Sequence, residues 1–190
     1  MTLMKRNEVN DANDASRRLV YVIGYPGSGK TTATRSVMEG LAFTVRDKPF
    51  KHTEYGDGTV QLGYEREHHG GTDCLSFNVQ PKVIEWMNRA TAQLVIGEGD
   101  RLANSKFFKA VQGQGWELSI VHFEVSELTA LRRMDERGST FEPAWVQGRI
   151  TKTNNLANAW RGNITTVDGS MSKGSIAATL REILYRGGCT

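Results

Sequence analysis

The chain has 190 residues, 38% of them hydrophobic and 24% charged, which is enough for one well-buried domain and too little for two comfortable ones. Its net charge of +3 and isoelectric point near 8.9 suit a nucleotide or nucleic-acid partner without requiring one. Two cysteines, Cys74 and Cys189, exclude a disulfide framework and a CxxC metal pair; no apolar run reaches the roughly 18 residues of a membrane span, and the polar start "MTLMKRNEVNDANDASRR" lacks the apolar core of a signal peptide, so a cytoplasmic protein is expected.

Residues 1–17 are polar, rich in Asn and Asp and without period, and read as a flexible leader before a single domain over 18–190. "LVYVIG" (Leu19 to Gly24) has the pattern of a strand buried on both faces of a parallel sheet. "TTATRSVMEG" then reads as a helix closed by Gly40, and "LAFTV" (Leu41 to Val45) as a second strand. Between 46 and 80 an inserted region begins with a hairpin, signalled by Asp57-Gly58 between two β-rich runs. A Gly/His-rich loop leads into "QPKVIEWMNRA", helical with Pro81 in its first turn. "AQLVIGEGD" is a third core strand, "NSKFFKAVQGQG" a helix, "WELSIVHFEV" a fourth strand and "SELTALRRMDERG" a helix with Ser126 as N-cap. "EPAWVQGRITKTNNLANAW" is helical in part, "ITTVDG" a fifth strand and "SKGSIAATLREILYRGG" a last helix. Strands alternating with helices over long crossovers give an α/β fold: a mostly parallel five-stranded sheet with helices on both faces and ligands at the carboxyl ends of the strands.

Gly24, Gly29, Lys30 and Thr31 fill every fixed position of G-x-x-x-x-G-K-[ST], with a strand before and a helix after. Glycines at this spacing let successive backbone N–H groups curl around phosphate oxygens at the positive end of a helix. Lys30 adds a mobile charge at the outer phosphates, and the Thr31 hydroxyl can ligate Mg²⁺.

The rest of the chain must then separate hydrolysis from transfer. Glu98 follows the third strand where a Walker-B acid holds Mg²⁺ or its water. Asp100, two residues on, either faces an acceptor or caps the next helix and pairs with Arg101. Arg133 and Arg137, at i and i+4, share a helix side, and Arg149 with Lys152 forms a second basic set, so 132–155 reads as an arginine-rich lid. Such a lid stabilises a phosphoryl group in flight and excludes water, which favours transfer over hydrolysis. An acceptor hydroxyl needs a carboxylate to take its proton. Asp73 is one candidate, with an N-cap as its alternative role, and Asp100 and Asp47 are rivals. His68 and His69, being adjacent, diverge and have no ligand spacing to Cys74, which argues against zinc.

"GYPGSGKTT" resembles the phosphate loop of small phosphotransferases. Together with "HTEYG", "GGTDCLS", "VQPKVIEWM", "VIGEGDRLAN" and "RRMDERGSTFEPAWVQGRITKTNNLA", it resembles a family of phage-encoded P-loop kinases that includes 5-hydroxymethyldeoxyuridine DNA kinases, over residues 19–168. The resemblance implies ATP and Mg²⁺ as cofactors, and the hydroxymethyl group of 5-hydroxymethyluracil in double-stranded phage DNA as acceptor, in a step of thymidine hypermodification. It places Gly27, Ser28, Gly29, Lys30, Thr31 and Thr32 on the β-phosphate of ATP, Glu98 and Asp100 at the acidic strand end, and Arg133, Arg137 and Arg149 in the lid region. "GDRLAN" stands where thymidylate kinases carry a "DRY" run, which argues against a free thymidine nucleotide; other free monophosphates, polynucleotide ends and plain ATP hydrolysis remain alternatives. For a DNA acceptor, Lys48, Lys51 and His52 near Tyr55 and Tyr64 form a candidate DNA-facing surface, while Trp86 and Trp145 read as core.

Overall fold

A strand whose side chains are almost all apolar must be covered on both faces, and β1 (Arg18–Ile23) is: Leu19, Tyr21 and Ile23 enter one core, Val20 and Val22 another. The structure, a computed structural model, describes residues 16–66, 70–139 and 142–186. After β1 the chain forms α1 (Lys30–Met38), β2 (Phe43–Arg46), β3 (His52–Tyr55), β4 (Val60–Leu62), a single 3₁₀ turn over Gly71–Cys74 and α2 (Gln80–Arg89). It continues through β5 (Leu94–Glu98), α3 (Ser105–Gly113), β6 (Glu117–Glu124), α4 (Glu127–Asp135), α5 (Pro143–Ala159), β7 (Asn163–Asp168) and α6 (Lys173–Tyr185). None of these helices is long and apolar enough to cross a membrane.

The strands form one sheet in the order β2-β3-β4-β5-β1-β6-β7. Five of them, β4, β5, β1, β6 and β7, are parallel neighbours. On one face lie α2 and α3, with Val83, Met87, Phe107, Phe108 and Val111 in a core that also takes Leu156 of α5. On the other, α1 and α6 supply Ala33, Val37, Ile176 and Leu180. Chain order reverses at β1, between β5 and β6, so a crevice opens beyond its carboxyl end. Helix starts follow local chemistry: Asn104, Ser126 and Ser172 each accept an N–H of the first turn with their side chains.

The second parallel strand is β4, not the run at 41–45. Only five residues separate Arg46 from His52, too few for a crossover, so β2 pairs antiparallel with β3 and forms an exposed sheet edge. The hairpin signalled by Asp57-Gly58 is present, and its second strand joins the parallel sheet beside β5. That burial removes two members of the expected DNA-facing surface. His52 is 3% exposed, its Nδ1 2.9 Å from the Phe50 carbonyl, and Tyr55 donates to Gln61 Oε1 at 2.7 Å. Trp86 packs on Phe50 and His52, as a core residue does. Residues 143–159 are helical throughout rather than in part. Of the leader only Ser16 and Arg17 lie among the described residues; Arg17 donates to the Gln114 carbonyl at 2.6 Å and covers Trp116.

Phe108 is fully buried, with ring centroids 5.1 Å from Tyr21 and 5.5 Å from Trp160. Phe108→Ala is expected to cost about 3–5 kcal/mol in urea unfolding; a loss below about 1 kcal/mol would mean that this aromatic cluster does not anchor the sheet.

Candidate active site

The loop after β1 is closed by packing from above. Gly27 has φ 82°, and a Cβ there would stand 2.5 Å from the Ala130 carbonyl oxygen of α4; only glycine permits both the turn and the approach. No side chain caps α1, which leaves its first N–H groups available to an anion. Ser28 is fully buried and its Oγ has no hydrogen-bond partner among the described residues. Lys30 donates to the Tyr25 carbonyl at 3.1 Å, folded back on its own loop. These features fit a phosphate chain: an uncapped helix start, a loop without room for a Cβ, an unpartnered hydroxyl and a cation.

Glu98 ends β5, hydrogen-bonded to β1 in parallel register, so the acid stands beside the loop. It is 1% exposed and accepts from Thr31 Oγ1 at 3.0 Å. Burial pushes its carboxyl up to about 7, opposed by the positive charge of Lys30 and reinforced by the nearby carboxylates Asp73 and Glu65. Burial likewise pushes the Lys30 ammonium down, while Glu98 and Asp73 pull it back. Desolvation thus outweighs mutual attraction on both partners, and a cation entering beside Thr31 would relieve the carboxylate. The donor set, a hydroxyl and a carboxylate, fits Mg²⁺, which prefers oxygen and keeps several waters.

Next to Glu98 the turn 70–73 is fixed onto the end of β5. Gly71, φ 59°, lies so close that a Cβ would stand 2.6 Å from the Glu98 carbonyl oxygen. Thr72 Oγ1 donates to that same carbonyl at 2.8 Å, and the buried Tyr21 hydroxyl lies 3.0 Å from Thr72 Oγ1. Asp73 is held from the far side: its Oδ1 accepts the backbone N–H groups of Asp100 at 2.8 Å and Arg101 at 3.1 Å. It does not cap α2, whose N-cap is Val79. Asp100 neither caps α3, where Asn104 does so, nor pairs with Arg101. Its carboxylate is taken by Arg149 and by Lys152, the latter at 2.6 Å, both from α5.

A cavity of about 520 Å³ joins these groups. Gly27, Gly29, Lys30, Thr31 and Thr32 line one end, and Asp73, Glu98, Asp100, Arg137 and Arg149 line the rest. Arg133 stands apart: it donates to the Gly169 carbonyl at 2.8 Å and faces a second cavity of about 290 Å³ across the loop, which Arg137 also reaches. Asp47 is 76% exposed and paired with Lys51 on the far sheet edge, away from the cavity. Trp145 is not core; it is 39% exposed and lines the cavity near Arg149. Phe77 and Arg101 are cavity residues that sequence reasoning missed, since nothing in "LSFNV" marks a loop phenylalanine as part of a site. His68 and His69 lie outside the described residues.

A parallel sheet switching at a G-x-x-x-x-G-K-T loop, with an acid on the adjacent strand end, defines a P-loop kinase fold. The sequence matches the model of the P-loop Nucleotide Kinase3 family over residues 15–174, and the chain belongs to that family. An unliganded sugar kinase from Janibacter sp. HTCC2649 is 14% identical, with a TM-score of 0.55 over 90% of this chain and 96% of that one. A gluconokinase from Sinorhizobium meliloti 1021 is 18% identical, with a TM-score of 0.50 over 90% and 98%. At such identities the likeness is one of fold. No curated protein matches the sequence.

Glu98 also sets a pH dependence. Its carboxyl is raised from 4.5 to about 7, so between those values the folded protein holds a proton that the unfolded chain has lost, and stability falls as pH rises through the window. Glu98→Gln should remove that slope, changing the difference in unfolding free energy between pH 5.5 and 7.5 by roughly 2 kcal/mol relative to wild type. Parallel pH curves for the two proteins would show that Glu98 is not the buried titrating group.

Proposed function

We propose that the protein transfers the γ-phosphoryl group of ATP to the hydroxymethyl oxygen of 5-hydroxymethyluracil in DNA, as a cytoplasmic step of thymidine hypermodification in phage. The observation that carries transfer rather than hydrolysis is Asp73: one carboxylate oxygen is anchored by two backbone amides, in the cavity that also holds Lys30 and Thr31. That arrangement positions a base for an acceptor oxygen. The acceptor rests on the family resemblance, and is supported by the cations Arg101, Arg149 and Lys152 on the wall that DNA phosphates would meet.

In this reading Asp73 removes the hydroxymethyl proton as that oxygen bonds to the γ-phosphorus. The bond from the γ-phosphorus to the β–γ bridging oxygen breaks, and ADP leaves. Lys30, the amides of Gly29 to Thr32 and the buried Ser28 hydroxyl hold the phosphate chain and take up the charge that develops on the leaving oxygen. Thr31 and Glu98 would hold Mg²⁺, which would supply neutralisation of the phosphate charge. Arg137, between the two cavities, and Arg149, released from Asp100, screen the transferred group; Arg133 braces the loop from the second cavity.

The test offers γ-labelled ATP and Mg²⁺ with three acceptors: duplex DNA carrying 5-hydroxymethyluracil, plain duplex, and mixed deoxynucleoside monophosphates. Label is expected on the modified duplex alone, with Asp73→Asn lowering kcat by about 10²–10³ and leaving the KM for ATP unchanged. Asp100→Asn, which loses an ion-pairing group, should change kcat far less. Label on the monophosphates instead would overturn the acceptor, and an unaffected Asp73→Asn would overturn the base.

A further inference from the structure

Two aromatic side chains that line the cavity, Phe77 and Trp145, are not used by the phosphate chemistry. Phe77, between the Gly71–Cys74 turn and α2, is 86% exposed, and the Arg101 guanidinium carbon lies 3.7 Å from its ring centroid. Trp145, in the first turn of α5, carries Arg149 at 5.0 Å. Both pairs line the same cavity as Lys30 and Asp73. Arg101 adds a buried Nε with no hydrogen-bond partner among the described residues.

A large aromatic side chain in a loop, almost fully in water and next to a guanidinium, contributes nothing to the core. An aromatic face beside a positive charge is the combination that takes a nucleobase by stacking and its flanking phosphate by charge, whatever the base. Geometry decides how a DNA base could reach it. The phosphate-holding end of the cavity is at its floor, where Glu98 is 1% exposed and Lys30 folds back on the loop. A base kept in the stack offers its 5-substituent only at the groove surface of a duplex. The cavity, about 520 Å³, is of the size that encloses one small ligand, not a helix.

Resting on the DNA-kinase reading above, we propose that the acceptor is an unpaired pyrimidine: the base leaves the duplex and stacks on the Phe77–Arg101 surface, with Trp145 and Arg149 on the lid side. The stacking replaces contacts that the base gives up in the helix. Phe77 is then a specificity-determining residue for the acceptor and has no part in binding ATP.

The test uses the full chain and a duplex with 2-aminopurine beside the 5-hydroxymethyluracil, a probe that brightens when its neighbour leaves the stack. Without ATP, wild-type protein is expected to raise the fluorescence, and Phe77→Ala to abolish the rise. Phe77→Ala and Trp145→Ala should each raise the KM for matched duplex about tenfold, with the KM for ATP unchanged. A mismatch opposite the modified base should lower the wild-type KM, because part of the unpairing is already done. Phe77 is too exposed for its truncation to unfold the protein, so lost binding cannot be laid to misfolding. Labelling of matched and mismatched duplex alike, with no fluorescence change, would mean that the base is phosphorylated within the stack; this inference would fall while the DNA-kinase reading stood. Absence of label on every DNA would remove the DNA-kinase reading and this inference with it.

Discussion

A buried carboxylate at the end of β5 and a nearby ammonium at the start of α1 are the constraint on which the rest depends. Glu98 and Lys30 are both driven toward neutrality by loss of water, and protein groups offset this only in part, through Thr31 and their mutual attraction. Removing either partner would leave the other less compensated: Glu98 would keep the Thr31 hydrogen bond, and Lys30 the Tyr25 carbonyl and the attraction of Asp73. The arrangement is specific because β1 and β5 run parallel in fixed register, which brings the loop after one strand and the acid of the other to the same edge. A slip of one residue along β5 would turn Glu98 to the opposite face of the sheet. The acid is therefore placed by the central sheet, in a charge arrangement suited to a metal–phosphate group.

A second set of contacts ties this floor to the elements above it. The turn at 70–73 is pinned by Tyr21 and Thr72 to the end of β5, and Asp73 in turn receives the amides of the strand's own exit loop. On the far side Asp100 joins that exit loop to α5 through Arg149 and Lys152. The cations that would meet a phosphoryl group are thus paired with a neighbouring acid in this state. Partial exposure of all three groups means these ion pairs exchange with water and ligand more readily than buried ones would.

The phosphate loop was legible in the sequence because its requirements are local: eight contiguous residues, flanked by an apolar run and a helix, contain every group it needs. Glu98 was legible for a related reason, since a strand end in a parallel sheet is a place that position alone defines. Two helix starts were readable, from Ser126 as N-cap and from Pro81 in a first turn. What was not legible depended on partners far along the chain. Whether 41–45 joined a parallel sheet or an edge hairpin depended on its pairing with β3, and a charged hairpin gave no sign that His52 and Tyr55 would be covered. Asp73 and Asp100 each had a local capping role open to them; the contacts that replaced it come from 27 and about 50 residues away. Helical spacing at Trp145 marked it as facing something, and could not say that the something was a cavity.

Fold likeness to sugar kinases does not carry an acceptor, since one scaffold hosts many substrates. In the proposed reading the acceptor is set by what lines the cavity besides the phosphate loop: an anchored carboxylate, cations on α5 and an exposed aromatic surface. Coupling is the property that separates a transferase built this way from an ATPase on the same scaffold. The most direct measurement is the stoichiometry of ADP formed to phosphate recovered on hydroxymethylated DNA, with an acceptor-free control. The account predicts one phosphate on DNA for each ADP and almost no ADP without acceptor. ADP and free phosphate released at the full rate in the absence of DNA would contradict it.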